Sequence, residues 1–146
     1  MSDDHSAILK IMNDYCRYID TGDLQGFANL FEHSRFRMRG DESSIQTGAG
    51  EVLEMLQNVI LYDGKPNTKH VLSNVQIEVD AQAGHATAES YVTVLQEIPP
   101  DFPLQAIFVG HYFDVFEKAG GNWHFTDREI SPDLLGDLSH HRADMA

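Results

Sequence analysis

The sequence predicts an α+β fold: three helices followed by a meander of β-strands, with the helices on one side of a curved antiparallel sheet. Two observations carry that prediction. Apolar residues recur at helical spacing up to about residue 60, and then at every second position from residue 68 to 130. The β-rich runs are joined by short turn-like connections, DAQAG, PPDFP and KAGG. Helices first and a run of strands afterwards is the pattern of an α+β domain.

Ile8, Ile11, Met12, Tyr15 and Ile19 repeat at helical spacing and predict an amphipathic helix over 4–20. Gly22 suits its C-terminal stop, and Asp23 suits the cap of a second helix, 24–32, that buries Leu24, Phe27, Leu30 and Phe31. HSRFRMR (33–39) alternates and reads as a strand, 40–48 as a polar loop, and GEVLEMLQNVI (50–60) as a third helix. Four strands follow over 68–79, 85–98, 105–117 and 122–130. The third is apolar on both faces. Phe108, Tyr112 and Phe116 point one way, while Ile107, Val109, Phe113 and Val115 point the other. With helices covering one face, the outward set implies contact with another copy of the chain.

The 146 residues suit one domain, and 42% hydrophobic with 23% charged residues is ordinary globular composition. The single cysteine, Cys16, cannot form an internal disulfide and fits a reducing compartment; the expected location is the cytoplasm. The start MSDDHS has no secretory pattern, and no apolar run approaches the ~20 residues of a membrane span. A formal net charge of −13 argues against nucleic acid as a partner. Arg35, Arg37 and Arg39 form one short basic face, but Asp41 and Glu42 follow at once.

Asp20 is the residue without an evident structural role. It lies on the flank of the first helix's apolar stripe, at the end where a carboxylate faces the negative pole of the helix dipole. Two readings stand: a solvated turn aspartate bonded to the Thr21 or Gly22 backbone, or a buried carboxylate with a basic partner. His70, at the start of the first long strand, is a packed or surface residue on one reading and that partner on the other. No histidine pair has metal-ligand spacing, and nucleophile-elbow and phosphate-loop motifs are absent, so no metal or organic cofactor is expected.

The order RYIDTGD and LFE, a helix, KHVLSNVQIEVD, then GHYFDVFE and GGNWHFTDREI resembles the SnoaL-like branch of the nuclear-transport-factor-2-like superfamily, over residues 10–131. That branch includes scytalone dehydratase, lindane dehydrochlorinase and bile acid 7α-dehydratase. The resemblance implies one domain over 1–146, with a core of 4–131 and a C-terminal tail of 132–146. Its curved sheet would be a cone, closed by the three helices around a deep pocket. It also implies a histidine–aspartate dyad. The aspartate that ends the first helix falls on Asp20, and the histidine that starts the strand after the third helix falls on His70. The tyrosine five residues before the aspartate falls on Tyr15, and an arginine near the end of the last strand falls on Arg128.

The function so implied is a cofactor-independent lyase or isomerase for a hydrophobic small molecule, with dehydration favoured. His70 would take a proton next to a carbonyl, Asp20 would orient it, and Tyr15 would donate a hydrogen bond. Arg128 would hold a carboxylate or enolate oxygen, or else pair with Asp127, Glu129 or Asp114. Phe27, Phe31, Leu56, Val59, Leu72, Phe108 and Tyr112 are expected to line the pocket. The assembly implied is a homo-oligomer, a trimer before a dimer. The alternative is a non-catalytic binding protein or an assembly module like a dioxygenase β subunit.

Overall fold

A computed structural model describes residues 3–145; residues 1, 2 and 146, the ends of the expected 1–146 domain, lie outside it. Helix α1 (Asp3–Thr21) buries Ile8, Met12, Tyr15, Cys16 and Ile19, the stripe read from the sequence, and carries Asp3 and Asp4 in its first turn, where the dipole favours them. It stops at Gly22. The Asp23 N–H reaches back to the Tyr18 carbonyl (2.8 Å) and the Gly22 N–H to that of Ile19 (3.1 Å). This is a Schellman stop, and it needs a residue at positive φ; Gly22 has φ of 80°. Only glycine fits for a second reason, since a Cβ there would lie 1.9 Å from the Gly64 carbonyl oxygen. Helix α2 (Leu24–Asn29) begins at once, capped by the Asp23 carboxylate, which accepts the Gly26 N–H at 2.9 Å.

Strands β1 (Arg35–Met38) and β2 (Asp41–Thr47) precede helix α3 (Gly48–Met55), which ends in a short 3-10 turn. The long strands follow: β3 (Thr68–Asp80), β4 (His85–Ile98), β5 (Phe102–Ala119) and β6 (Asn122–Leu135). Their order in the sheet is β2-β1-β6-β5-β4-β3. The meander β3 to β6 is antiparallel, as expected, but β1 lies parallel to β6, so the sheet is mixed at that side.

Two expectations change here. The segment 40–48, expected as a loop, holds β2. The chain also continues past 131: β6 runs to Leu135, and the following residues fold back against the body. There the Ile60 N–H donates to the His141 carbonyl (2.9 Å) and Val59 forms an antiparallel bridge with Arg142.

The core lies between α1, α2 and the concave face of the sheet. Phe31 and Phe125 stack at 5.1 Å between centroids, and Phe116 stacks on Phe125 at 4.7 Å. On the convex face, Arg37 bonds Asp127 through Nε (3.0 Å) and Nη2 (2.9 Å), while Arg39 engages Glu129, so the basic face seen in the sequence meets its own acidic ladder. Val109, Phe113 and Val115 lie half-buried on that face, but Ile107 does not join them. The register shifts between Val94 and Leu95 skip Ile107, and the resulting bulge buries it completely. Among the described residues, no helix is long and apolar enough to cross a membrane.

Candidate active site

Asp20 sits in the last turn of α1, and the Schellman stop aims its carboxylate at the start of β3. Three donors converge on it. Oδ1 accepts the Thr68 hydroxyl (2.8 Å) and His70 Nδ1–H (2.7 Å), and Oδ2 accepts the His70 backbone N–H (2.8 Å). Thr68 and His70 share one face of β3, which is why a single carboxylate meets both. Burial pushes the Asp20 carboxyl up, but the bonds and charge of His70 and the Thr68 hydroxyl outweigh it and hold the group below its usual range. An ionised carboxylate only accepts, so Nδ1 carries a proton, and in the uncharged form of the ring Nε2 is the lone pair.

His70 lies on the wall of a cavity of about 940 Å³. Tyr15, Phe108 and Tyr112 share that wall; Phe36, Met38, Ser44 and Gln46 come from β1 and β2. The returning C-terminal segment adds Leu138, His141 and Met145. Glu51, Glu54 and an Arg142–Asp144 pair, bonded at 3.0 Å through Nε and Nη2, give it an acidic side. Asp20 is behind His70 rather than on the wall. Tyr15 and Asp20 therefore serve the site from different faces of α1, one directly and one through the imidazole.

Tyr15 packs against Tyr112 with ring centroids 5.6 Å apart, and its centroid is 6.4 Å from that of His70. Burial pushes both phenols up, and the charge of Arg128 works against that rise; both remain protonated donors at neutral pH. Arg128 itself is sealed. Its guanidinium carbon lies 3.8 Å from the Tyr112 ring centroid and 4.3 Å from that of Tyr15. Nε and Nη2 bond Asp114 at 2.7 Å each, the residue directly across the β5–β6 pair. Burial alone would release the proton, but the Asp114 charge and bonds outweigh it and the guanidinium stays charged.

The expected anion clamp therefore gives way to an internal pair. The Nε and Nη2 edge of Arg128 is occupied, Nη1 is buried without a hydrogen-bond partner, and the side chain is off the cavity wall. The expected lining also divides. Phe108 and Tyr112 are on the wall. Phe27, Phe31, Leu56 and Val59 are buried in the core, and Leu72 packs against its edge. Their places are taken by β1, β2 and the C-terminal segment, which were read as strand, loop and tail. Thr68 and His141 were missed. The T-x-H spacing on one strand carried a signal for Thr68, whereas nothing in the tail marked His141. Cys16 is a packing residue whose thiol burial pushes up to about 11. Among the described residues, no three His, Cys, Asp or Glu converge as a metal ion would require.

The fold is thus a curved sheet closed by helices around a cavity, with His70 on the wall and Asp20 behind it. The chain belongs to the SnoaL-like domain family, whose sequence profile matches residues 1–129. Similar solved structures include a candidate scytalone dehydratase of Novosphingobium aromaticivorans, at 25% identity and TM-score 0.71, over 92% of this chain and 87% of that one. ActVI-ORFA of Streptomyces coelicolor is similar at 18% identity and TM-score 0.74, over 90% and 98%. A nuclear-transport-factor-2-like protein with a cystatin-like fold, also from Novosphingobium aromaticivorans, is similar at 16% identity and TM-score 0.71, over 89% and 82%. The last two likenesses concern the fold alone. No curated protein sequence matches.

Proposed function

We propose that the protein is a cofactor-independent lyase or isomerase acting on a hydrophobic small molecule, with dehydration as the favoured reaction. The observation that carries this reading is the Asp20–His70 pair: Asp20 fixes the proton on Nδ1, and the imidazole stands on the wall of a largely apolar cavity. The ordinary range of an imidazole spans neutral pH, which suits a general base. Nε2 takes a proton from the carbon beside a carbonyl; the C–H pair becomes a C=C bond, and the carbonyl becomes an enolate. Asp20 stabilises the imidazolium. Collapse of the enolate expels a β-hydroxyl, which leaves as water with the proton that His70 returns. Tyr15 donates to the enolate or to the departing oxygen. The likeness to a candidate scytalone dehydratase supports loss of water over ring closure or a double-bond shift.

The test is a panel of cyclic β-hydroxyketones. It reads the ultraviolet band of the conjugated enone, and also exchange of the Cα proton in D₂O. Turnover or exchange that disappears in His70→Leu supports the reading. Exchange equal in wild type and His70→Leu overturns it, and a ligand that only raises the melting temperature marks a binding protein.

For assembly we propose a trimer through the convex face, where Val71 and Tyr91 are about 45% exposed beside half-buried Val109 and Phe113. Light scattering at micromolar concentration should give about three chain masses. Two would favour the dimer, and one would remove the proposal.

A further inference from the structure

The C-terminal segment brings to the cavity a polar group that the mechanism above does not use. His141 is on the wall and 8% exposed, with its ring centroid 6.3 Å from that of His70. It does not hang in a loose tail. Its own carbonyl accepts the Ile60 N–H (2.9 Å), and its N–H donates to the Leu138 carbonyl (3.0 Å). The neighbouring His140 carbonyl accepts the Tyr62 hydroxyl (2.5 Å) and Gln96 Nε2 (3.2 Å), and the His140 ring stacks on Phe102 at 4.1 Å. Five contacts thus hold a short polar segment in place and fix where its imidazole sits.

The ring nitrogens have no hydrogen-bond partner among the described residues. Nδ1 is buried without a hydrogen bond, while Nε2 is neither sealed nor bonded among the described residues. A buried nitrogen without a partner is carried more cheaply as a lone pair than as a bare N–H, which puts the ring proton on Nε2, the nitrogen that substrate can reach. Burial first, then the electrostatic influence of His70 and Arg142, lowers the ring to about 4, so it is uncharged at neutral pH.

We propose that His141 is a second catalytic residue, whose Nε2–H donates a hydrogen bond to the substrate carbonyl oxygen while His70 removes the adjacent proton. The inference rests on the reading of the cavity given above and adds an electrophile to its base. As the C–H bond breaks, negative charge grows on that oxygen, and a fixed uncharged N–H strengthens its bond to match. Such a ring stabilises the enolate without protonating it, so the electrons remain available to expel the hydroxyl. His141 gains and loses no proton in this step.

The probe is 2-naphthol, a ring hydroxyl that mimics an enol, added to protein labelled with ¹⁵N in its eight histidines. Resonances are assigned with His141→Gln and His70→Leu. The expected result is a large shift of the His141 N–H on binding, with the ring uncharged before and after. His141→Phe should weaken naphthol binding about tenfold, whereas His141→Gln, which keeps an N–H donor, should stay within about threefold. A His141 signal unmoved by naphthol at its solubility limit, or a ring already protonated at pH 7, overturns the inference. The His70 signal in the same spectra judges the other reading. His70 moving alone removes His141 and keeps the base, and stillness at both removes both. The wild-type spectra decide the matter even where a variant folds poorly.

Discussion

Two acid–base pairs lie beside Tyr15. In one, Asp20 holds His70; in the other, Asp114 holds Arg128. Both are buried, with side chains 8% exposed in the first pair and 0% in the second. They differ in what the basic partner can do. An imidazole can pass a proton at neutral pH, and His70 faces open volume. A guanidinium cannot, and Arg128 is closed in by Tyr15, Tyr112 and Phe125. The pair whose proton can move faces the cavity, and the pair whose proton cannot move is sealed away from it beneath Tyr15 and Tyr112. Removing a member should therefore harm chemistry in the first pair and folding in the second.

The sharpest break of that contrast is His70→Leu. It should cost on the order of 10²–10⁴-fold in turnover and leave the melting temperature equal or higher, because a polar group under functional constraint is replaced by an apolar one. Asp20→Asn should follow it closely in turnover, since an amide can hold the ring but cannot stabilise the imidazolium. An unfolded His70→Leu would mean that the dyad is structural.

Next in size is Arg128→Met, which leaves Asp114 buried and unpaired. Urea denaturation should show a loss of about 3–5 kcal/mol, and Arg128→Met combined with Asp114→Leu should recover most of it. If Arg128→Met keeps wild-type stability while turnover disappears, the two pairs have been assigned in reverse.

The pH dependence sharpens the comparison further. His141 is lowered in the fold, from an ordinary 6.5 to about 4. Between those values the unfolded chain binds a proton that the folded chain refuses. Stability is therefore fully present above pH 6.5 and falls as pH drops towards 4, by on the order of 3 kcal/mol. Asp20, also lowered, adds a loss only below the ordinary carboxylate range. Denaturation midpoints across pH 4–7 should slope in wild type and flatten in His141→Phe. The smallest expected effect is Asp23→Ala, which removes the α2 cap for about 1 kcal/mol and lowers the melting temperature while sparing turnover.

Much of this was legible in the chain because it depends on local pattern. The stripe of α1, its glycine stop, the Asp23 cap and the four long strands follow from periodicity and turn chemistry. Asp20 stood out because nothing local justified it. Strand β2 was not legible because its sequence DESSIQT lacks an apolar alternation; Ser44 and Gln46 face the cavity instead of the core. Ile107 was assigned to the wrong face because a one-residue bulge reverses side-chain direction without changing the sequence pattern. Arg128 was readable as an arginine near the site. Its direction was not, because that depended on Asp114 lying directly across the hairpin in the folded register.

The sequence by itself determined the fold class and the family resemblance, since both are written in spacing and order along the chain, and it was the resemblance that pointed to Asp20 and His70. Only the tertiary structure decided which groups face the cavity. Asp20 and His70 meet across 50 positions, and His141 arrives near His70 from the far end of the chain. Such meetings are fixed by how a curved sheet packs on a helix end, and residue periodicity carries no record of them.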